Sequence, residues 1–246
     1  MILLNKPVGQ TPLQALDKLR TERPEFKSVK LSYAGRLDPM AEGLLLVMVG
    51  EENKNREKYL NLDKEYEVEI VFGIETDSYD ILGLVKGGKK KIINKNELIS
   101  SLNKFIGKVE LPYPPYSSKP VGGIPLFEWA RQGIIKKIKV PKQDSFINSV
   151  ELIRFNAIDR DSLEKYVLDS TQKVTGDFRQ DKITDSWKKY FEINPEIKKF
   201  DIAKIKISCQ SGAYMRSIAH ELGKMLGTKA IALTIKRTRI GEWHLQ

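Results

Sequence analysis

The chain of 246 residues is 41% hydrophobic, enough to bury a sizeable core and too apolar for wholesale disorder. Lys and Arg number 42 against 32 Asp and Glu, a formal charge of +10 that favours a polyanionic partner, nucleic acid before membrane. One cysteine, Cys209, and two histidines, His220 and His244, exclude a disulfide framework, a Cys-based zinc cluster and a metal site built on several histidines.

Met1–Leu4 is a short apolar start of strand character, turned by Asn5-Lys6-Pro7-Val8-Gly9. No signal-peptide pattern precedes it, and no apolar run in the chain reaches the ~18–20 residues of a membrane helix. The sequence therefore reads as cytoplasmic. Lys6 is either a phosphate contact or a solvated turn residue. Thr11-Pro12 reads as an N-cap with Pro at the first helical position, and Leu13, Leu16 and Leu19 supply the apolar spacing of a helix ended by Pro24.

Tyr33-Ala34-Gly35-Arg36-Leu37-Asp38-Pro39-Met40-Ala41-Glu42-Gly43 places one carboxylate, Asp38, on a loop punctuated by Gly and Pro. The loop feeds Leu44–Val49, an apolar run of strand length closed by Gly50. Such a loop is a rigid stage for a reactive side chain, although Asp-Pro is also an ordinary turn signal.

Glu65–Phe72 alternates, with Tyr66, Val68, Ile70 and Phe72 on one face, and reads as a half-buried antiparallel strand. Residues 73–80 read as a polar loop, followed at Gly83 by a short strand. Lys86–Lys91 reads as a basic turn, and Asn94 with Glu97 opens a helix through Phe105 whose stripe is Leu98, Ile99, Leu102 and Phe105. Lys86–Lys108 is either a phosphate-facing edge or a solvated face. Leu111–Pro120 is extended and proline-stiffened, bending at Gly122-Gly123, before a short helix over 126–132 and a basic loop to Lys142.

Residues 149–155 read as a strand. Asp161 with Glu164 marks a helix start, and 186–191 a second short helix; 161–199 together read as a helical insertion on the edge of the main fold. Ala203, Ile205, Ile207 and Cys209 alternate as another half-buried strand, with Cys209 inward and inert. A helix follows with a core stripe of Met215, Ile218, Ala219, Leu222 and Leu226. Arg216 falls off that stripe in the first turn, where a cation opposes the helix dipole unless a carboxylate such as Asp38 lies opposite. Ala230–Trp243 reads as a final strand whose basic residues are phosphate contacts or solvated ends.

Five stretches, in order, resemble the motifs of the TruB-type pseudouridine synthases, relatives of the dyskerin catalytic subunit. They are Leu3–Gly9, Gly35–Leu45, Lys64-Glu65-Tyr66 with Gly73 and Thr76–Asp80, Ser211–Ile218, and Lys236-Arg237-Thr238. The resemblance implies an α+β pseudouridine synthase fold: a mixed, mainly antiparallel sheet flanked by helices, with a central catalytic cleft. It implies isomerisation of uridine-55 in the T-loop of tRNA, with no organic cofactor and no metal, by engaging the T-arm; separately, the chain is expected to be a monomer. Asp38 would be the nucleophile, Tyr66 would stack on the flipped uracil and handle a proton, and Arg216 would orient Asp38. Tyr214 and Ile235 would line the base pocket, Lys6 would support the site, and Tyr33 would take the place of a family His used in base flipping.

The residue types suit that chemistry. A carboxylate can attack or stabilise an anomeric carbon, an Arg aims it, and an aromatic ring gives an extruded base a stacking face. Two departures bear on the substrate. Arg36 and Glu42 replace a small residue and a Thr, which makes Gly35-Arg36-Leu37-Asp38 closer to ribosomal-RNA pseudouridine synthases. The chain is also expected to be a single catalytic domain, 1–246, lacking the RNA-binding PUA domain of most bacterial relatives. Alternatives are the same chemistry on ribosomal RNA, or a non-catalytic tRNA-binding or folding module. A zinc deaminase is excluded, because H-x-E and C-x-x-C are absent.

Overall fold

In a computed structural model, which describes residues 1–89 and 91–245, the alternating stretches become strands of one sheet. The chain runs β1 (Ile2–Lys6), α1 (Pro12–Glu22), β2 (Leu31–Ala34), β3 (Glu42–Val49), α2 (Arg56–Leu60), β4 (Lys64–Phe72), β5 (Ile74–Thr76) and β6 (Val85–Gly88). It continues through α3 (Lys95–Asn103), β7 (Gly107–Pro112), β8 (Pro120–Val121), β9 (Ile124–Pro125), α4 (Leu126–Arg131) and β10 (Lys142–Asp159). The last elements are α5 (Arg160–Lys173), α6 (Gln180–Ile193), β11 (Lys199–Cys209), α7 (Met215–Met225), β12 (Ala230–Ile240) and β13 (Trp243–His244).

The main sheet has the order β1-β3-β12-β4-β11-β10-β7, with β2 on β3 and β13 on β12. Its pairings are antiparallel except β3 with β12, which is parallel at Glu42–Lys236 and Gly43–Arg237. This is the α+β architecture expected from the sequence. β3 is apolar without alternation because both of its faces are covered. Leu45 and Val47 pack with α1 residues Leu16 and Leu19, while Leu44, Leu46 and Met48 pack with Tyr59 and Ile240. The principal apolar cluster joins β4, β11 and β12 to α3, α7 and the helices of the 161–199 segment. Those two helices contribute Leu163, Val167, Ile183, Trp187 and Phe191 to it. Among the described residues no helix is long and apolar enough to cross a membrane.

Several boundaries differ from the sequence reading. β1 runs through Lys6 rather than turning at Asn5. α1 has the expected Thr11 cap, completed by Gln14, but its buried face is Pro12, Ala15, Leu16 and Leu19; Leu13 is exposed. On α3, Ile99 is likewise exposed. The 73–80 stretch is not a polar surface loop: it contains β5, and Ile74, Thr76, Ser78 and Asp80 are buried. β6 occupies part of the expected basic turn, whose Lys90 lies outside the described residues. β10 extends on both sides of 149–155, its polar composition reflecting a strand much of which is solvent-facing. α5 is capped by Asp159, whose Oδ1 accepts from the Ser162 amide at 2.8 Å, so Asp161 lies inside the first turn. α6 starts at Gln180, well before Ser186.

Candidate active site

The loop between β2 and β3 is held at several points before any substrate is considered. The Ala41 amide donates to the Asp38 carbonyl at 3.0 Å, and the Gly9 amide to the Pro39 carbonyl at 2.8 Å. Gly43, at φ +109°, lies where a Cβ would collide with the Arg237 backbone, so the parallel approach of β12 requires glycine there. Asp38 leaves this frame with its side chain 35% exposed, lining a cleft of about 790 Å³.

Arg216 meets Asp38 from 178 residues away. Its Nε donates to Asp38 Oδ2 at 2.7 Å and its Nη2 to Oδ1 at 3.1 Å, a bidentate fork. The same guanidinium donates from Nη1 to the Ser78 carbonyl at 3.0 Å and from Nη2 to the Tyr116 carbonyl at 3.1 Å. Asp80 Oδ2 stands 3.5 Å from its Nε. The Arg216 side chain is 3% exposed. Burial works against its charge, but Asp38 and Asp80 outweigh it and raise its pKa. These carboxylates also offset the unfavourable dipole at the start of α7. Asp80 is the reverse case: burial lifts its carboxyl to about 6 against the pull of Arg216, while Ser78 Oγ and the Leu82 amide donate to its Oδ1.

Tyr66, Tyr33, Tyr214 and Ile235 all line the same cleft. Burial raises the Tyr66 hydroxyl, with neighbouring Arg237 pulling the other way. Tyr214 packs edge-on to Tyr113 at 5.5 Å. Lys6 does not join them. It is fully buried, and its Nζ donates to the carbonyls of Pro7, Gln10 and Ala41 at 2.9, 2.7 and 2.5 Å. Its local sequence reads as a phosphate contact or a solvated turn, and it is neither; the family resemblance assigned it a role in supporting the site, and it ties the end of β1 to the Asp38 loop through the Ala41 carbonyl. Cys209 is buried and its thiol is pushed up to about 12 by burial, in keeping with an inert position.

Three features were not assigned from sequence. Arg237, read as a phosphate contact or solvated end, is 1% exposed. Its Nε donates to the Leu44 carbonyl at 2.8 Å and its Nη1 and Nη2 reach the Arg36 and Gly35 carbonyls at 3.4 and 3.3 Å. The alternation of Ile231, Leu233 and Ile235 already pointed residue 237 inward. Asp80 lay inside a quoted motif without a role. Asp77 receives Arg179 at 2.9 Å and the Tyr116 hydroxyl at 3.2 Å, with Arg179 stacked 4.1 Å over the Tyr116 ring. Tyr116 and Arg179 of this network line the cleft. Among the described residues no three His, Cys, Asp or Glu side chains gather so as to hold a metal ion.

Residues 23–172 match the family described as TruB family pseudouridylate synthase (N terminal domain). A protein of Caldicellulosiruptor saccharolyticus named tRNA pseudouridine synthase B is 30% identical over 246 residues, covering 100% of this chain and 69% of that protein. The chain belongs to the TruB family of pseudouridylate synthases. Another TruB relative of the same name, from Chlamydia pneumoniae, is 30% identical over 251 residues and is covered to 84%. Among solved structures, a chain of a Cbf5-Nop10-Gar1 complex shares the fold with a TM-score of 0.61 at 16% identity. A chain of an H/ACA RNP bound to a substrate RNA containing 2′-deoxyuridine gives 0.58 at 15%. This chain is covered fully in both and spans about half of each of those longer chains.

Proposed function

We propose that this protein converts uridine to pseudouridine in tRNA, acting on uridine-55 of the T-loop, with Asp38 as the nucleophile and the target base turned out of the RNA into the cleft. The observation that carries the reading is the Asp38–Arg216 pair: a partly open carboxylate gripped bidentately by a guanidinium that solvent does not reach. A protein that only bound RNA would gain nothing from an acid directed at a polyanion. The names of the relatives support tRNA as the substrate class.

In the reaction the bond from C1′ to N1 breaks and a bond from C1′ to C5 forms. The C5 proton leaves and N1 gains one, so the product has the atoms and charge of the substrate. Asp38 supplies the nucleophile that carries the fragment between the two bonds. Arg216 fixes its direction. Tyr66 stacks on the uracil and handles the C5 proton, and Ile235 and Tyr214 bound the base. Tyr33 stacks in the place vacated by the flipped base. The basic loops beside the cleft engage the T-arm phosphates, and affinity falls steeply with salt.

Wild type and Asp38→Asn assayed on unmodified tRNA test the proposal. Product from the wild type and none from the variant, with tRNA binding retained, is the expected result. Equal product from both would remove Asp38 from the mechanism, and none from either would favour a binding or folding module. Arg36 before Leu37-Asp38 keeps ribosomal RNA as a second substrate reading, which parallel assays on rRNA fragments decide.

A further inference from the structure

The loop that Arg216 grips is itself held from behind. Ser78 and Asp80 are buried and line the cleft, but Tyr79 between them does not. Its backbone sits at φ +66°, a left-handed conformation that a bulky residue seldom adopts. This is the turn that lets residues 78 and 80 both present to Arg216. The Tyr79 ring lies flat on the imidazole of His220, with centroids 3.7 Å apart and planes 9° apart. The Tyr79 carbonyl accepts from the Ala232 amide at 3.0 Å. His220, 5% exposed, is one turn beyond Arg216 on the same face of α7. One helix therefore touches this loop at two points, by guanidinium at Ser78 and Asp80 and by imidazole at Tyr79.

We propose that the Tyr79–His220 stack is a positioning device: it holds residue 79 in the left-handed region, aims the Ser78 carbonyl and the Asp80 carboxylate at Arg216, and through Arg216 sets the direction of Asp38. Neither ring reaches the cleft, so neither touches substrate. Burial, with Lys224 and Lys229 nearby, lowers the His220 imidazole to about 3, and the pair stays an uncharged stack at working pH. The inference rests on the reading of Asp38 and Arg216 as the reacting pair.

The test is kcat and KM on unmodified tRNA for wild type, His220→Ala, His220→Phe and Asp38→Asn, with tRNA affinity measured for each. His220→Ala is expected to lose about tenfold in kcat with KM and tRNA affinity little changed, the mark of lost alignment rather than lost binding. His220→Phe, which restores a flat partner for Tyr79, regains most of that rate. A wild-type kcat in His220→Ala, or a His220→Phe as slow as the alanine variant, overturns the proposal. A His220→Ala protein that loses tRNA affinity along with rate also overturns it, because the fold and not the alignment has then failed. If Asp38→Asn keeps its rate, the underlying reading of the site falls; if Asp38→Asn is dead while His220→Ala is fast, only the stack's role falls.

Discussion

Among the described residues four Lys or Arg side chains are buried, Lys6, Lys64, Arg216 and Arg237, and all four surround the Asp38 loop. They divide by partner. Arg216 faces carboxylates, Asp38 and Asp80, on the open side of the loop. The other three, Lys6, Lys64 and Arg237, form the closed side in the sense of their partners, since Lys64 and Arg237 also line the cleft: they have backbone carbonyls and, among the described residues, no carboxylate within ion-pair distance. The comparison separates two uses of buried charge. On the open side, a cation is matched to the side chain proposed as the nucleophile. On the closed side, cations serve as multi-point hydrogen-bond donors that pin the backbone carrying it. Desolvation opposes both arrangements, and each persists only while its acceptors are in place.

That division predicts different failures when each side is broken. The largest effect is expected at Arg216→Ala. It leaves two carboxylates without their shared cation and frees the carbonyls of Ser78 and Tyr116. The group that aims Asp38 is lost, and kcat should fall by about 10³-fold, roughly 4 kcal/mol of barrier. Single-turnover rates on tRNA check this, and since Arg216 is solvent-inaccessible, the salt dependence of tRNA binding should not move. Next is Arg237→Met, which should act first on stability. With the carbonyl of fully buried Leu44 orphaned, while those of half-buried Gly35 and exposed Arg36 stay within reach of water, unfolding free energy should drop by roughly 2–3 kcal/mol, read from the urea midpoint. A variant with native stability and only a lost rate would place Arg237 on the chemical side instead.

The open side was largely legible in the sequence, and the closed side was not. Arg216 stood out because a cation in a first helical turn is locally unfavourable, so its presence asked for a carboxylate elsewhere. The inward face of Tyr66 was readable from strict alternation along β4, but its place at the site came only from the family resemblance. The closed side hides behind the usual association of Lys and Arg with water. Lys6 follows a short apolar strand and precedes Pro7, which reads as a surface turn; nothing local reveals that Ala41 lies above it. Arg237 was within reach, since it shares a strand face with Ile235, but the adjacent Lys236 and Arg239 made the stretch look solvated. Secondary structure followed the same pattern. Elements with one clean apolar face, such as β4, β11 and α7, were evident. β10, whose sides alternate between partner and solvent, showed only its middle.

Two smaller changes sharpen the contrast through pH. Asp80→Asn keeps the shape of the side chain and removes its charge; a loss of about tenfold in kcat is expected, since Arg216 retains Asp38. In the wild type the Asp80 carboxyl is raised to about 6, above its ordinary 3.8. Between those values the folded protein holds a proton that the unfolded chain has released, so wild-type stability falls as pH rises through that window. The variant has no such loss, and its stability relative to wild type should climb by at most about 3 kcal/mol between pH 4 and 6. A flat difference across that range would mean that Asp80 is ionised as easily in the fold as in water.

The smallest effect is expected on the closed side, at Lys64→Met. Burial lowers the Lys64 ammonium from 10.5 to about 8, with Arg237 adding to the shift. From pH 8 to 10.5 the unfolded chain still holds the proton that the folded protein has lost, so stability rises with pH in that window. At pH 7 the charge is present at a desolvation cost that hydrogen bonds to the Leu60 and Leu62 carbonyls, both 2.6 Å, offset in part. Met fills the same space without charge. Because those carbonyls lie on half-buried residues that water can reach, the variant should stay within about 1 kcal/mol of wild type at pH 7. It should also lose much of the alkaline rise, while Lys6, lowered to about 8 as well, retains its share. Urea midpoints at pH 7 and 9.5 measure both quantities. An undiminished rise in Lys64→Met would mean that its ammonium is better hydrated than its burial implies, leaving the closed side to Lys6 and Arg237.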